Sequence, residues 1–197
     1  RCRRCCDDVD MSTRQVSVSR TIAATPAAIF AVLSDPSLHA VIDGMEMDLE
    51  QASYADFKAL HLYCYRVASV VGLLAAEIFG YSDRQTLKYA QDLGLAFQLT
   101  NIIRDIGEDA RRGRVYLPQD ELTRFDVTAD DLLHARYGES FSRLMAFQVE
   151  RARELYRQAF AQLPAADRKA QRAGLIMAAI YQATLDEIER DNYRVLD

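Results

Sequence analysis

Chain breakers are scarce in this sequence: eight glycines and four prolines in 197 residues. That shortage, beside abundant alanine, favours helices. Cysteine is sparse too. Three of its four copies, Cys2, Cys5 and Cys6, crowd one end and do not make a disulfide framework. The three histidines, His39, His61 and His134, are scattered, so Cys2-x-x-Cys5 has no second ligand pair, which argues against a zinc site. No long hydrophobic run occurs. The longest, Val67 to Ala76, is interrupted by Ser69, flanked by Arg66 and Glu77, and is too short by itself to span a bilayer. No signal peptide is visible. Positive charge is not in excess: the formal net charge is -5, against a nucleic-acid binder held by backbone charge. Internal repeats and low-complexity stretches are absent. What remains is an ordinary globular composition, half hydrophobic and 27% charged, long enough for one domain with a sizeable core.

The most informative stretch runs from Gln98 to Pro118. Leu95, Phe97, Leu99, Ile102, Ile103 and Ile106 make it an apolar helix, yet Gln98, Asn101, Asp105 and Asp109 recur at steps of three, four and four. Those spacings put two amides and two carboxylates on one helix face. A buried carboxylate without a partner is costly, so the stripe must meet water, basic residues or a ligand. Carboxylates one turn apart lie about 6 Å from each other along the axis, which suits a hard divalent cation such as Mg²⁺ whose shell is completed by substrate phosphates. Arg111-Arg112-Gly113-Arg114 follows, a cluster suited to bidentate phosphate contacts. Carboxylates, then arginines, beside an apolar wall would serve an apolar diphosphate; a solvated helix end with ordinary salt bridges would use the same residues.

This stretch resembles the second aspartate-rich motif of the squalene/phytoene synthase family, enzymes that join two prenyl diphosphates head to head. Tyr63-Cys64-Tyr65-Arg66-Val67-Ala68-Ser69-Val70-Val71-Gly72 and Ile42-Asp43-Gly44-Met45-Glu46-Met47-Asp48-Leu49 resemble two further motifs of the family, in family order. The details are most similar to the branch that makes presqualene diphosphate for hopanoid synthesis. The resemblance implies an all-α, isoprenoid-synthase-like helical bundle over residues 42–197, truncated relative to the family, which runs on past Tyr193. It also implies that Asn101, Asp105 and Asp109 hold Mg²⁺, and that Tyr63 stands near the diphosphate and the cationic intermediate. Gln98, Arg66, Arg111, Arg112, Arg114 and Tyr116 become candidate substrate contacts, and Tyr193 a residue lining the hydrocarbon pocket. Asp7-Asp8-Val9-Asp10 looks like a shortened copy of the first aspartate-rich motif, so Asp7 and Asp8 are candidates for the opposite metal wall; a charged terminus without a role is the other reading.

The remaining elements follow from spacing. Helices are expected over 36–51, 56–79, 86–109, a short segment capped by Thr128, 140–163 and 167–190. Gly72 is expected to permit a close helix crossing and Gly94 to be a backbone-contact point. Residues 113–120 should form a loop, with Pro118 blocking helix entry. Asp43, Glu46 and Asp48 are expected to face solvent. In the last helix Leu175, Ile176, Ala179, Ile180, Ala183 and Ile188 are expected to face inward. Residues 14–22 alternate as a half-buried strand, and Thr25-Pro26 opens a short helix. That opening resembles the start of START-like/polyketide-cyclase domains, without the long sheet that follows there. Residues 1–41 are therefore expected to be an appended segment and 42–197 the synthase-like domain.

The function the resemblance implies is Mg²⁺-dependent condensation of two farnesyl diphosphates to presqualene diphosphate with release of pyrophosphate. Alternatives are a squalene or phytoene synthase with a different product, or a catalytically impaired fragment or chimera that only binds prenyl lipid. No nucleic-acid partner is expected, and no motif for NADPH is present. The expected location is cytoplasmic, with peripheral contact to the inner face of the membrane.

Overall fold

The computed structural model describes residues 36–197, where the chain is a helical bundle. Helix α1 spans Pro36–Glu50, and α2, Phe57–Cys64, runs through a π-helical turn, Tyr65–Ser69, into α3, Val70–Phe79. Then come α4 (Gln85–Arg111), α5 (Gln119–Arg124), α6 (Ala129–Leu133), α7 (Glu139–Gln162), a 3₁₀ turn at Ala165–Asp167 and α8 (Arg172–Arg190). The all-α expectation holds over this range; among the described residues extended pairing is limited to one bridge, Ser53 to Val115. The aspartates at 7–10, the strand expected at 14–22 and the helix after Thr25 lie outside the described residues. Helix α1 runs unbroken through Val41–Gly44, where the two segments were expected to join.

The axis of the bundle is α4. Leu93, Ala96, Leu99, Ile103, Ile106 and Ala110 are buried along it, against Leu144, Met145, Ala152 and Tyr156 of α7. At its N-terminus Arg84 makes no side-chain cap, and Asp83 Oδ1 accepts from Gln85 N instead (2.8 Å). Asp167 anchors the turn before the helix and its first residues: its carboxylate accepts from Ser82 N and Oγ (2.7 and 2.6 Å), Asp83 N (3.1 Å) and Thr86 Oγ1 (2.6 Å). A carboxylate there also answers the positive end of the helix dipole.

The close crossing expected at Gly72 and Gly94 is present. A β-carbon on Gly94 would lie 2.6 Å from the Ala68 carbonyl oxygen, and one on Gly72 would lie 2.4 Å from that of Ala90. The two backbones interlock at the π turn, where Val70 N donates to the Tyr65 carbonyl and Ser69 Oγ to that of Gln91 (2.8 Å).

Three expectations need correction. Pro118 does not exclude a helix: it sits at the N-cap of α5, where its fixed φ of -57° and missing N–H cost nothing. In α8 the buried residues are Ala178, Leu185 and Ile188, while Ile176 and Ile180 are 61% and 60% exposed, because the helix is apolar on both sides. The apolar run at Val67–Ala76 belongs to a longer rod, Phe57–Phe79, which is long and apolar enough to cross a membrane by length and composition. In the bundle that rod buries Leu60, Tyr63, Cys64, Val70 and Ala76 against its neighbours.

Candidate functional site

The polar stripe of α4 does face a hollow. Gln98, Asn101, Asp105 and Asp109 line a cavity of about 240 Å³, joined there by Tyr63 of α2, Ile102 and Arg104 of α4 and Tyr116 of the loop after it. A second cavity, about 260 Å³, adjoins it. Gln98 and Asn101 line both; the other walls of the second are almost wholly apolar, among them Val71 and Phe79 of α3, Leu93 and Phe97 of α4, and Met177 of α8. Small residues on three helices, Gly72 and Ala75, Ala90 and Gly94, Ala173 and Gly174, make the space. A polar mouth thus opens into a hydrocarbon-lined groove.

The two carboxylates are not equivalent. Asp105 is held by its neighbour: Arg104 donates to both its oxygens, at 2.7 Å each. Among the described residues Asp109 has no such partner. Burial, then the Asp105 charge beside it, push its carboxyl above the usual carboxylate range, against the pull of Arg112 and Arg114. The Asn101 Oδ1 atom is buried with no hydrogen-bond partner. Two carboxylates that repel each other and an orphaned amide oxygen, all hard oxygen donors, fit a divalent cation. Among the described residues no group of three His, Cys, Asp or Glu side chains converges, so this wall supplies only part of a coordination shell.

Across the polar cavity stands a tyrosine cluster. The Tyr63 and Tyr116 rings stack with centroids 5.3 Å apart, and Tyr54 packs on both at 5.4 and 5.9 Å. The Tyr54 hydroxyl is buried and unpartnered, and burial raises its pKa and that of Tyr63 well above the ordinary phenol range. Tyr116 is raised as well, by burial first and by its bond to Asp48 next. The loop that carries Tyr116 leaves α4 through Gly113, whose φ of +77° a residue with a side chain would resist. Val115 N then donates to the Ala52 carbonyl (2.8 Å), fixing the loop on the segment after α1.

Asp48 had been expected in solvent. It is instead a hub: Tyr63 Oη donates to one carboxylate oxygen (3.1 Å), Tyr116 Oη to the other (2.8 Å), and Arg114 Nη2 to its main-chain carbonyl (2.9 Å). Nothing in the spacing of Asp43, Glu46 and Asp48 singled it out. Arg104 was missed as well, although an arginine beside Asp105 is visible in the sequence.

Other candidates stand elsewhere. Arg111 donates to the main-chain carbonyls of Leu196 (2.7 Å) and Asp197 (3.2 Å) and so ties down the C-terminal segment. Arg112 is exposed and paired with Glu108 at 2.5 Å. Arg66 reaches Asp43 (3.6 Å) and the Met47 sulfur (3.3 Å) on α1. Tyr193, at φ +60°, packs at the end of α8 and lines neither cavity. Asp7 and Asp8 lie outside the described residues.

Comparison with known proteins finds relatives of this chain in sequence and in fold. The family profile described as Squalene/phytoene synthase matches residues 4–197. A phytoene synthase of Arthrospira platensis is 41% identical over 170 residues, covering 80% of this chain and 55% of that protein. Phytoene synthase 1 of Arabidopsis thaliana is 41% identical over 162 residues, covering 78% and 38%. Among solved structures, squalene synthase HpnC from Alicyclobacillus acidocaldarius superposes with a TM-score of 0.72 at 26% identity, over 85% of this chain and 64% of that one. A dehydrosqualene synthase in complex with ligand gives 0.73 at 28% identity, over 86% and 62%. The chain therefore spans about half the length, or less, of the curated relatives it matches.

Proposed function

This chain belongs to the squalene/phytoene synthase family, and from that premise we propose that it binds prenyl diphosphates and couples two of them head to head, releasing pyrophosphate. The observation that carries the reading is the meeting of the two cavities at Gln98 and Asn101. An isoprenoid diphosphate has a polyanionic head and a hydrocarbon tail, and the site has a compartment of matching character for each.

Asp105, Asp109 and Asn101 are the residues we assign to a divalent cation, Mg²⁺ in the first instance, which when bound supplies Lewis-acid polarisation of the diphosphate. Arg114 offers a guanidinium beside Asp109 and Tyr116, where a departing pyrophosphate would need positive charge. The tyrosine cluster lies over the polar cavity, where its π faces can stabilise an allylic cation. The apolar groove excludes water that would otherwise quench that cation. Farnesyl diphosphate is the proposed substrate and presqualene diphosphate the proposed product; the similarity to phytoene synthases makes phytoene the competing product.

Incubation with farnesyl diphosphate and Mg²⁺, following pyrophosphate release and extracting the products, tests the reading. Pyrophosphate with a cyclopropyl C30 diphosphate is the expected result. Tight binding of farnesyl diphosphate with no pyrophosphate would instead support a protein that only binds prenyl lipid.

A further inference from the structure

Resting on that reading of the site, we propose that Asp48 is its positioning residue: by accepting the hydroxyl protons of Tyr63 and Tyr116, it turns both phenols into electron-rich acceptors toward the polar cavity. A carboxylate accepts and does not donate. With Tyr63 Oη at 3.1 Å from one oxygen and Tyr116 Oη at 2.8 Å from the other, each hydroxyl has spent its one proton on Asp48. What each retains is lone pairs. Both tyrosines line the cavity that Asn101, Asp105 and Asp109 face. The face opposite the carboxylate pair therefore offers electron density and no donor, which favours positive charge on a reacting carbon over a phosphate oxygen.

The same residue joins three elements. Asp48 lies on α1, Tyr63 on α2, and Tyr116 on the loop that follows α4. The Asp48 main-chain carbonyl also takes Arg114 Nη2 at 2.9 Å. Arg114 and Tyr116, two residues apart on a loop that leaves α4 through the left-handed Gly113, are thus fixed by one aspartate. The ring stack of Tyr54, Tyr63 and Tyr116 depends on the same anchor, since the Tyr54 hydroxyl has no partner to hold it by itself.

Asp48→Asn keeps the shape and loses the second carboxylate acceptor. Turnover of farnesyl diphosphate should fall about tenfold or more while KM moves by less than about threefold, the pattern of an interaction made in the transition state. The triple variant Asp48→Asn/Tyr63→Phe/Tyr116→Phe should be no slower than the double variant Tyr63→Phe/Tyr116→Phe, because the aspartate acts through the two phenols. A ¹³Cζ-tyrosine NMR spectrum supplies a readout that needs no turnover. Of the ten tyrosine signals, the two lost in Tyr63→Phe and Tyr116→Phe should be those that move in Asp48→Asn. Near-normal turnover of Asp48→Asn, a triple variant slower than the double tyrosine variant, or tyrosine signals that do not move would each overturn the proposal. Should the parent chain itself release no pyrophosphate, the coupling reading fails, and the tyrosine spectrum still decides whether Asp48 orients the phenols.

Discussion

Asp105 and Asp109 look interchangeable in sequence, one turn apart on the same face, and the structure makes them different. Arg104 neutralises Asp105, while Asp109 holds an uncomfortable charge, raised in pKa by burial and by Asp105. An acid whose folded pKa is raised costs stability at pH values above it, where the fold must keep the charge. Asp109→Asn removes that cost along with a metal ligand. It should raise the melting temperature at pH 7 while cutting turnover by about two orders of magnitude, a trade of activity for stability. Asp105→Asn should cut turnover to a similar extent without the gain, since it also strands Arg104; circular dichroism should show helical content intact in both. A stable Asp109→Asn with near-normal turnover would remove it from the mechanism. The stripe itself was legible from its three- and four-residue steps. The hub was not: Asp48 shares α1 with Asp43 and Glu46, and only the return of the 113–118 loop to the end of α1 selects one acid of the three.

At the level of elements, the interlock of α4 with the π turn governs both fold and groove. The atoms that a Gly94 side chain would meet, the Ala68 carbonyl oxygen at 2.6 Å and Ser69 Cα at 2.8 Å, are backbone and cannot swing aside. Gly94→Ala should therefore destabilise by on the order of 3 kcal/mol, at the upper end of overpacking effects, read as a lower midpoint in urea. A midpoint unchanged within error would mean that the helices separate more easily than the packing implies. The second control on α4 is Asp167. Its four hydrogen bonds, those from Ser82 Oγ and Thr86 Oγ1 foremost, hold its carboxyl well below the usual aspartate range. In acid the unfolded chain takes up this proton before the folded chain does, so the contribution is complete above about pH 4, the unfolded value, and is lost as pH falls below it. Melting followed between pH 7 and pH 2 should show that acid loss in the parent and a shallower slope in Asp167→Asn. Element positions were largely readable because apolar spacing sets them. The inward face of α8 was not, because Ile176 and Ile180 lie on one side and Ala178 and Leu185 on the other. Periodicity finds both stripes and cannot say which one meets the core. The π turn left no trace in sequence either; it lies where Gly94 of another helix comes close to its backbone.

For the molecule as a whole, the decisive arrangement is that α3, α4 and α8 build one apolar groove while the polar face of α4, Tyr63 of α2 and Tyr116 of the 113–118 loop build the polar cavity beside it. Recognition of head and tail should then be separable. Ala173 lines the groove from α8 and is itself exposed, so a larger side chain there can enter the groove without disturbing the core. Ala173→Phe should raise KM for farnesyl diphosphate about tenfold or more while leaving inhibition by inorganic pyrophosphate within about twofold of the parent. The melting temperature should not change, because no core residue is displaced. If pyrophosphate inhibition weakened in step with substrate binding, the two compartments would not be independent, and the polar cavity would owe its shape to the groove. If neither changed, the prenyl tail would lie outside the groove, and the correspondence between this site and an isoprenoid diphosphate would hold for the head alone.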